Sequence, residues 1–223
     1  MTKKEKKDKK GYFNYKKTLL RNFFFRRDII EGKETTETRV IEEGLTYIQM
    51  KLPVEKITKE FEDDLRKHVE GNILKAKIRE AKNDEDLRSV MNIYNRAWLT
   101  ASTPFRPLTL DSLKLIFDDK DTVILVARAY GIEGGFSILD FEGENKEYGI
   151  IAGLGVLPRF QRKGLGTVIG MASWDYFKKV GVKELRCEVY IDNVVSYSFI
   201  KGIGFEEFDV KAYKKEDFSL EDD

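Results

Sequence analysis

The sequence predicts an α+β fold: one mixed central sheet carrying helices, extended on its N-terminal side by a further strand and helix. Three observations predict it. From residue 74 onward the hydrophobic patterns run β, α, α, β, β, β, α, β, α, β, which is not a pure βαβ repeat. The apolar run Gly149–Val156 passes through a proline-ended, basic, glycine-bearing turn into a long helical pattern. Hydrophobic residues make up 41% of the 223, enough for one large domain or a domain with an extension.

Residues 1–37 read as a charged, partly disordered segment, because lysines and acids dominate positions 1–10. Leu19, Leu20 and Phe23-Phe24-Phe25 form an apolar patch too short to span a bilayer, expected to pack on the domain or a partner chain. Residues 38–72 form a strand–helix extension, expected to dock on the core or make a homodimer contact. Its strand, Val40–Leu52, carries Ile41, Leu45, Tyr47 and Ile48. Its helix, Pro53–Val69, shows a face of Val54, Ile57, Phe61, Leu65 and Val69, opened by proline and stopped by Gly71. His68 lies beside that face. No nucleophile accompanies it, so it reads as exposed or structural.

Residues 73–215 form the main domain. Leu74–Ala81 alternates like a strand, and Asn83 or Asp84 caps a helix to about Leu99. A loop to Pro107 and a helix over Leu110–Phe117 follow. Strands are expected at Asp121–Ala129, Gly131–Phe141 and Gly149–Val156. The long helix after the basic turn carries Leu165, Val168, Ile169, Ala172, Tyr176, Phe177 and Val180 at helical spacing and ends at Gly181. A strand at Lys183–Ile191, a helix at Asn193–Gly202 and a strand at Phe205–Tyr213 complete it; residues 216–223 are an acidic tail.

Forty basic and thirty-nine acidic residues leave a net charge of +1, so no overall field marks a nucleic-acid binder. One cysteine and one histidine argue against a disulfide framework and a zinc site. The N-terminus lacks the apolar core of a signal peptide and no run reaches membrane length, so no membrane association and a cytoplasmic location are expected.

The turn after Val156 has the makings of an anion cradle. A helix start presents unpaired N–H groups and a positive dipole end. Gly164 and Gly166 let backbone approach closely, and Gln161, Arg162 and Lys163 add donors and charge. Gly164, Gly166 and Gly170 also mimic a dinucleotide fingerprint, but there the glycines follow the strand directly, and here Pro158 to Lys163 intervene.

Over residues 74–213 the chain resembles the GCN5-related N-acetyltransferase (GNAT) superfamily. Gln161-Arg162-Lys163-Gly164-Leu165-Gly166 is similar to the family's Q/R-x-x-G-x-G/A pyrophosphate loop. Val156-Leu157-Pro158 is similar to the strand end before it. Asn193, Ser196 and Gly204-Phe205 are similar to its N-x-x-A/S…G-F segment. The resemblance implies a three-layer arrangement, helices on both faces of a mostly antiparallel sheet. That sheet splays between the strand ending at Val156 and the one ending near Tyr190. It implies acetyl-CoA (coenzyme A) as cofactor, held at Leu154, Gly155, Val156, Leu157, Pro158, Gln161, Arg162, Lys163, Gly164, Leu165, Gly166, Thr167, Asn193 and Ser196. A bulge at Leu154–Gly155 is expected to widen the split, with the Val156 N–H on the thioester oxygen.

The activity so implied is acetyl transfer to a primary amine by direct attack. Glu188, five residues before Asn193, falls where some ribosomal-protein N-terminal acetyltransferases of the superfamily place a glutamate base; Glu147 and Asp140 are alternatives. A structural, ion-paired glutamate is the other reading of Glu188. The position of the usual tyrosine general acid is Ile200, and Tyr197, one turn earlier, is the candidate substitute or a packed aromatic. The histone-type base position is Ile150, which weakens that assignment. Cys187 lies mid-strand among apolar residues and reads as inert. Trp98, Thr100, Phe105 and Arg106 are placed to line the acceptor site. The acceptor is an amine-bearing small molecule, a protein N-terminus or a lysine. A non-catalytic acyl-CoA sensor is the alternative function.

Overall fold

The computed structural model describes residues 45–70, 76–99 and 107–213. Expectations for residues 1–44, Gly71, Thr100, Phe105, Arg106, the acidic tail and the side chain of His68 lie outside the described residues. The elements run β1 (Leu45–Pro53), α1 (Lys59–Glu70), β2 (Lys77–Glu80), α2 (Asp84–Trp98), α3 (Leu110–Phe117), β3 (Val123–Ala129), β4 (Ile132–Glu142), β5 (Tyr148–Val156), α4 (Leu165–Val180), β6 (Glu184–Tyr190), α5 (Val194–Gly202) and β7 (Glu206–Tyr213).

The seven strands form one sheet in the order β2-β3-β4-β5-β6-β1-β7. Every neighbouring pair is antiparallel except β5–β6, which is parallel. β1, from the segment expected to extend the domain, is an interior strand. It pairs with β6 on one edge (Tyr47↔Tyr190, Gln49↔Glu188) and with β7 on the other (Leu45↔Tyr213, Gln49↔Asp209). Its alternation explains the position, since each face meets something. Ile48, Met50 and Leu52 join the core under Trp174, Phe177 and Leu185, and Tyr47 packs with Leu45 and Tyr213 on the opposite face.

The chain after β1 departs from expectation. Pro53 closes the strand instead of opening a helix, and a 3₁₀ turn spans Val54–Lys56. The Val54 N–H donates to the Lys183 carbonyl (2.9 Å), prolonging the strand pairing beyond a proline that has no N–H. α1 begins six residues later, its Phe61 N–H donating to Thr58 Oγ1 at 3.2 Å.

Two apolar clusters flank the sheet. Leu87, Val90 and Tyr94 of α2 and Leu113 of α3 pack with Phe136 and Ile138 on one face. On the other, Trp174 and Phe177 of α4 pack with Met50, Leu139 and Leu185. α1 is fastened to α4 by Phe61, whose ring stacks on Trp174 at 5.8 Å. Alternate residues of β4 therefore serve opposite layers.

The edge strand β2 is clamped to α2. Arg79 donates to both carboxylate oxygens of Asp86 (2.8 and 2.6 Å) and to Glu133 (3.0 Å), and the Lys82 N–H also reaches Asp86. The Arg79 guanidinium holds the Asp86 carboxyl below its usual range. A depressed carboxyl stabilises the fold above its unfolded pKa and loses that contribution as pH falls through the folded value. Asp86→Asn is expected to cost about 1–3 kcal/mol at pH 7. The gap to wild type should close as pH falls below about 4, measured by urea titration at several pH values.

Candidate active site

β5 and β6 pair only at Tyr148↔Glu184, Gly149↔Leu185 and Ile150↔Arg186. Beyond Ile150 the two strands part, β5 running on to Val156 and β6 to Tyr190. The cause lies on the other edge of β5. Ile138 faces Gly153 and Leu139 faces Ile151, which leaves Ala152 as an extra residue. This bulge bends β5; it sits at Ala152, two residues before the Leu154–Gly155 position expected from sequence. Gly155 then lies flat on the Phe136 ring, where a Cβ would come within 2.5 Å of it.

The edge groups of β5 turn into the wedge. The Leu157 N–H donates to the Gly134 carbonyl of β4 at 2.9 Å. Successive peptide groups alternate in direction, so the N–H and C=O of Val156 point away from β4. The Val156 carbonyl accepts from Gln161 Nε2 at 3.0 Å, which fixes the start of the basic turn against the strand.

That turn ends in Arg162 and Gly164 at φ values of 57° and 83°, the left-handed region. Gly164 is the N-cap of α4 and has no side chain to bond the first-turn N–H groups, and no acid lies in that turn. Leu165, Gly166 and Thr167 therefore offer donors at the positive end of a helix, beside the exposed Arg162 and Lys163. Asn193 caps α5, its Oδ1 accepting from the Ser196 N–H at 3.1 Å.

A cavity of about 660 Å³ joins this cradle to the wedge. Of the residues expected at the site, Leu154, Gly155, Val156, Gln161, Arg162, Gly164, Gly166, Thr167, Asn193, Ser196, Glu188 and Trp98 line it. Leu157, Pro158, Lys163, Leu165 and Tyr197 do not. Leu157 and Leu165 are core residues beneath the turn.

Glu188 is the second residue past the last β5–β6 pair, so it stands at the root of the wedge. It accepts a hydrogen bond from Tyr213 Oη at 2.6 Å. Burial, and then the nearby Glu188 charge, pushes the Tyr47 phenol up, so that side chain stays neutral. Of the alternative bases, Asp140 lines the cavity, and its carboxylate accepts from the Phe141 N–H at 2.8 Å. Glu147 instead closes the β4–β5 turn, accepting from the Asn145 N–H. Burial pushes the Cys187 thiol up, and it remains unreactive.

Tyr197 donates to Glu207. Glu207 opposes Met50 in register and Glu188 opposes Gln49, so the two glutamates belong to opposite faces of the sheet. The candidate base Glu188 and the candidate acid Tyr197 are therefore not brought together. Sequence reasoning also missed Tyr47 and Gln49 of β1, Glu142 of β4, and Asp209 and Lys211 of β7, all of which line the cavity. The signal available for Gln49 was an uncharged amide between Ile48 and Met50 in a strand-forming run.

A helix start with no side-chain cap, flanked by Arg162 and Lys163, thus opens into a wedge between two parallel strands. The chain belongs to the acetyltransferase (GNAT) family, whose model matches residues 87–205, more than half of it. It is an acetyl-CoA-dependent acyltransferase. Among the many solved structures that share the fold are three acetyltransferases. An aminoglycoside 6'-N-acetyltransferase from Acinetobacter haemolyticus is 20% identical, with a TM-score of 0.53 over 66% of this chain and 99% of that one. The ribosomal-protein-S18-alanine N-acetyltransferase from Escherichia coli is 18% identical, with a TM-score of 0.51 over 66% and 97%. AAC(6')-Iy in complex with a bisubstrate analogue, CoA-S-monomethyl-acetylneamine, is 19% identical, with a TM-score of 0.50 over 60% and 92%. Among curated proteins, none matches the chain in sequence.

The residues present fit coenzyme A. The uncapped α4 start and Arg162 suit its pyrophosphate, and the parted strand edges suit its amide-bearing arm. Among the described residues, no cluster of His, Cys, Asp or Glu could hold a metal ion, and no helix is long and apolar enough to cross a membrane.

Proposed function

We propose that this enzyme acetylates a primary amine by direct attack, with Glu188 as the base. The observation that carries the reading is the placement of Glu188 at the wedge root, in the same cavity as Val156. Acetyl-CoA, when bound, supplies an activated acyl carbon and a thiolate leaving group. The first-turn N–H groups of α4, with Arg162, would hold the diphosphate, and the Val156 N–H would donate to the thioester oxygen.

An amine arrives in water as an ammonium ion and must lose a proton to attack. The Glu188 carboxylate accepts it. Asp140, Glu142 and Asp209 line the same cavity with Glu188, beside Arg162, Arg186 and Lys211. Tyr197 is engaged by Glu207, so protonation of a leaving thiolate would fall to solvent. The acceptor is an amine-bearing small molecule, a protein N-terminus or a lysine.

The test is transfer of radiolabelled acetyl to a peptide N-terminus, a lysine side chain, a polyamine and an amino sugar. Transfer to at least one is expected; tight binding of acetyl-CoA with transfer to none would overturn the reading. Tyr213 positions the base through its 2.6 Å hydrogen bond. Tyr213→Phe is expected to lower kcat about tenfold, as one hydrogen bond to a charged group is worth, and to leave acetyl-CoA binding unchanged in calorimetry.

A further inference from the structure

The following inference rests on the amine-transfer reading and concerns which amines are taken. We propose that Gln49 recognises the acceptor, its side-chain amide donating a hydrogen bond to an oxygen carried close to the reacting amine.

Gln49 lines the cavity and is only 7% exposed. Its Nε2 has no hydrogen-bond partner among the described residues. A buried amide N–H left unmade is costly, and native proteins rarely tolerate one without a purpose. The amide is therefore retained against a stability gain, as expected for a group satisfied only when a ligand arrives.

Its position says which part of the ligand it meets. Gln49 is the register partner of Glu188 on β6 and of Asp209 on β7, so the three side chains stand in one row on one face of the sheet. Adjacent strands lie about 4.8 Å apart. An acceptor whose amine reaches Glu188 thus brings atoms two to three bonds away under Gln49. A donor there selects an oxygen: the carbonyl of an α-amino amide, or the hydroxyl of an amino alcohol. β1 lies outside residues 87–205, so this contact comes from a strand that the family match does not include.

The experiment compares wild type with Gln49→Met, using acetyl-CoA and three acceptors: trialanine amide, glucosamine and n-butylamine. The first two carry the oxygen from different sources, and the third lacks it. For whichever oxygen-bearing acceptor the wild type uses, KM is expected to rise about tenfold or more. The KM for n-butylamine and the acetyl-CoA Kd should not move. The Tm of the ligand-free variant should rise by about 2–4 °C, since an unpaired amide has been removed. An unmoved KM for the oxygen-bearing acceptor, an equal rise for n-butylamine, or an unmoved or lower Tm would each overturn the role of Gln49. A wild type that acetylates none of the three would instead remove the amine-transfer reading, and this inference with it.

Discussion

Gly164→Asp is expected to weaken acetyl-CoA binding by about a hundredfold or more, equivalent to roughly 2.7 kcal/mol. Two effects add. The new carboxylate faces the diphosphate at close range, where charges of like sign repel. It also occupies the N-cap of α4 and takes up first-turn N–H groups that the diphosphate needs. Gly164 stands at φ 83°, so some backbone strain accompanies any side chain. Gly164→Asn separates the causes, because asparagine tolerates the left-handed region and carries no charge. Calorimetric titration with coenzyme A should show the aspartate variant much weaker than the asparagine variant. Equal losses in both would mean that capping and strain, not charge, set the effect; unchanged affinity in the aspartate variant would end the cradle assignment.

Glu188→Gln is expected to lower kcat by about two to four orders of magnitude at neutral pH, the usual range for a positioned base. Acetyl-CoA affinity should hold, since Glu188 lies at the wedge root and not in the cradle. Glutamine keeps an oxygen that can accept from Tyr213, so the geometry of the row survives. Raising the pH should recover part of the loss, because the amine then sheds its proton to solvent. Wild-type kcat in the variant across the pH range would exclude Glu188 as the base.

Much of this was legible in the sequence because it is local. Asn83 caps α2, Gly181 ends α4, and Leu110–Phe117 is a helix as its apolar spacing requires. The basic turn reads as a cradle because its chemistry is contiguous in sequence. What stayed hidden is non-local. The alternation of Tyr47, Gln49 and Lys51 tells which residues share a face, but not which strands flank them. The extra residue at Ala152 leaves no compositional mark, so the bulge was expected two residues too late. Helical spacing brings Tyr197 to the face of Ile200, yet its hydroxyl is claimed by Glu207, on a strand that starts several residues later.

The placement of β1 has a consequence for how the molecule comes into being. Leu45 pairs with Tyr213, so the earliest strand described and the last must meet across about three quarters of the chain. During synthesis the segment 45–53 leaves the ribosome long before either of its neighbours exists. Its native partners β6 and β7 come late in the chain, whereas β2 to β5 pair with strands closer in sequence. Closure over such a distance is entropically slow, and exposed strands invite aggregation in the interval. The row holding Gln49, Glu188 and Asp209 is therefore completed only once β7 has been made, and a chain truncated before β7 would carry the cradle without it.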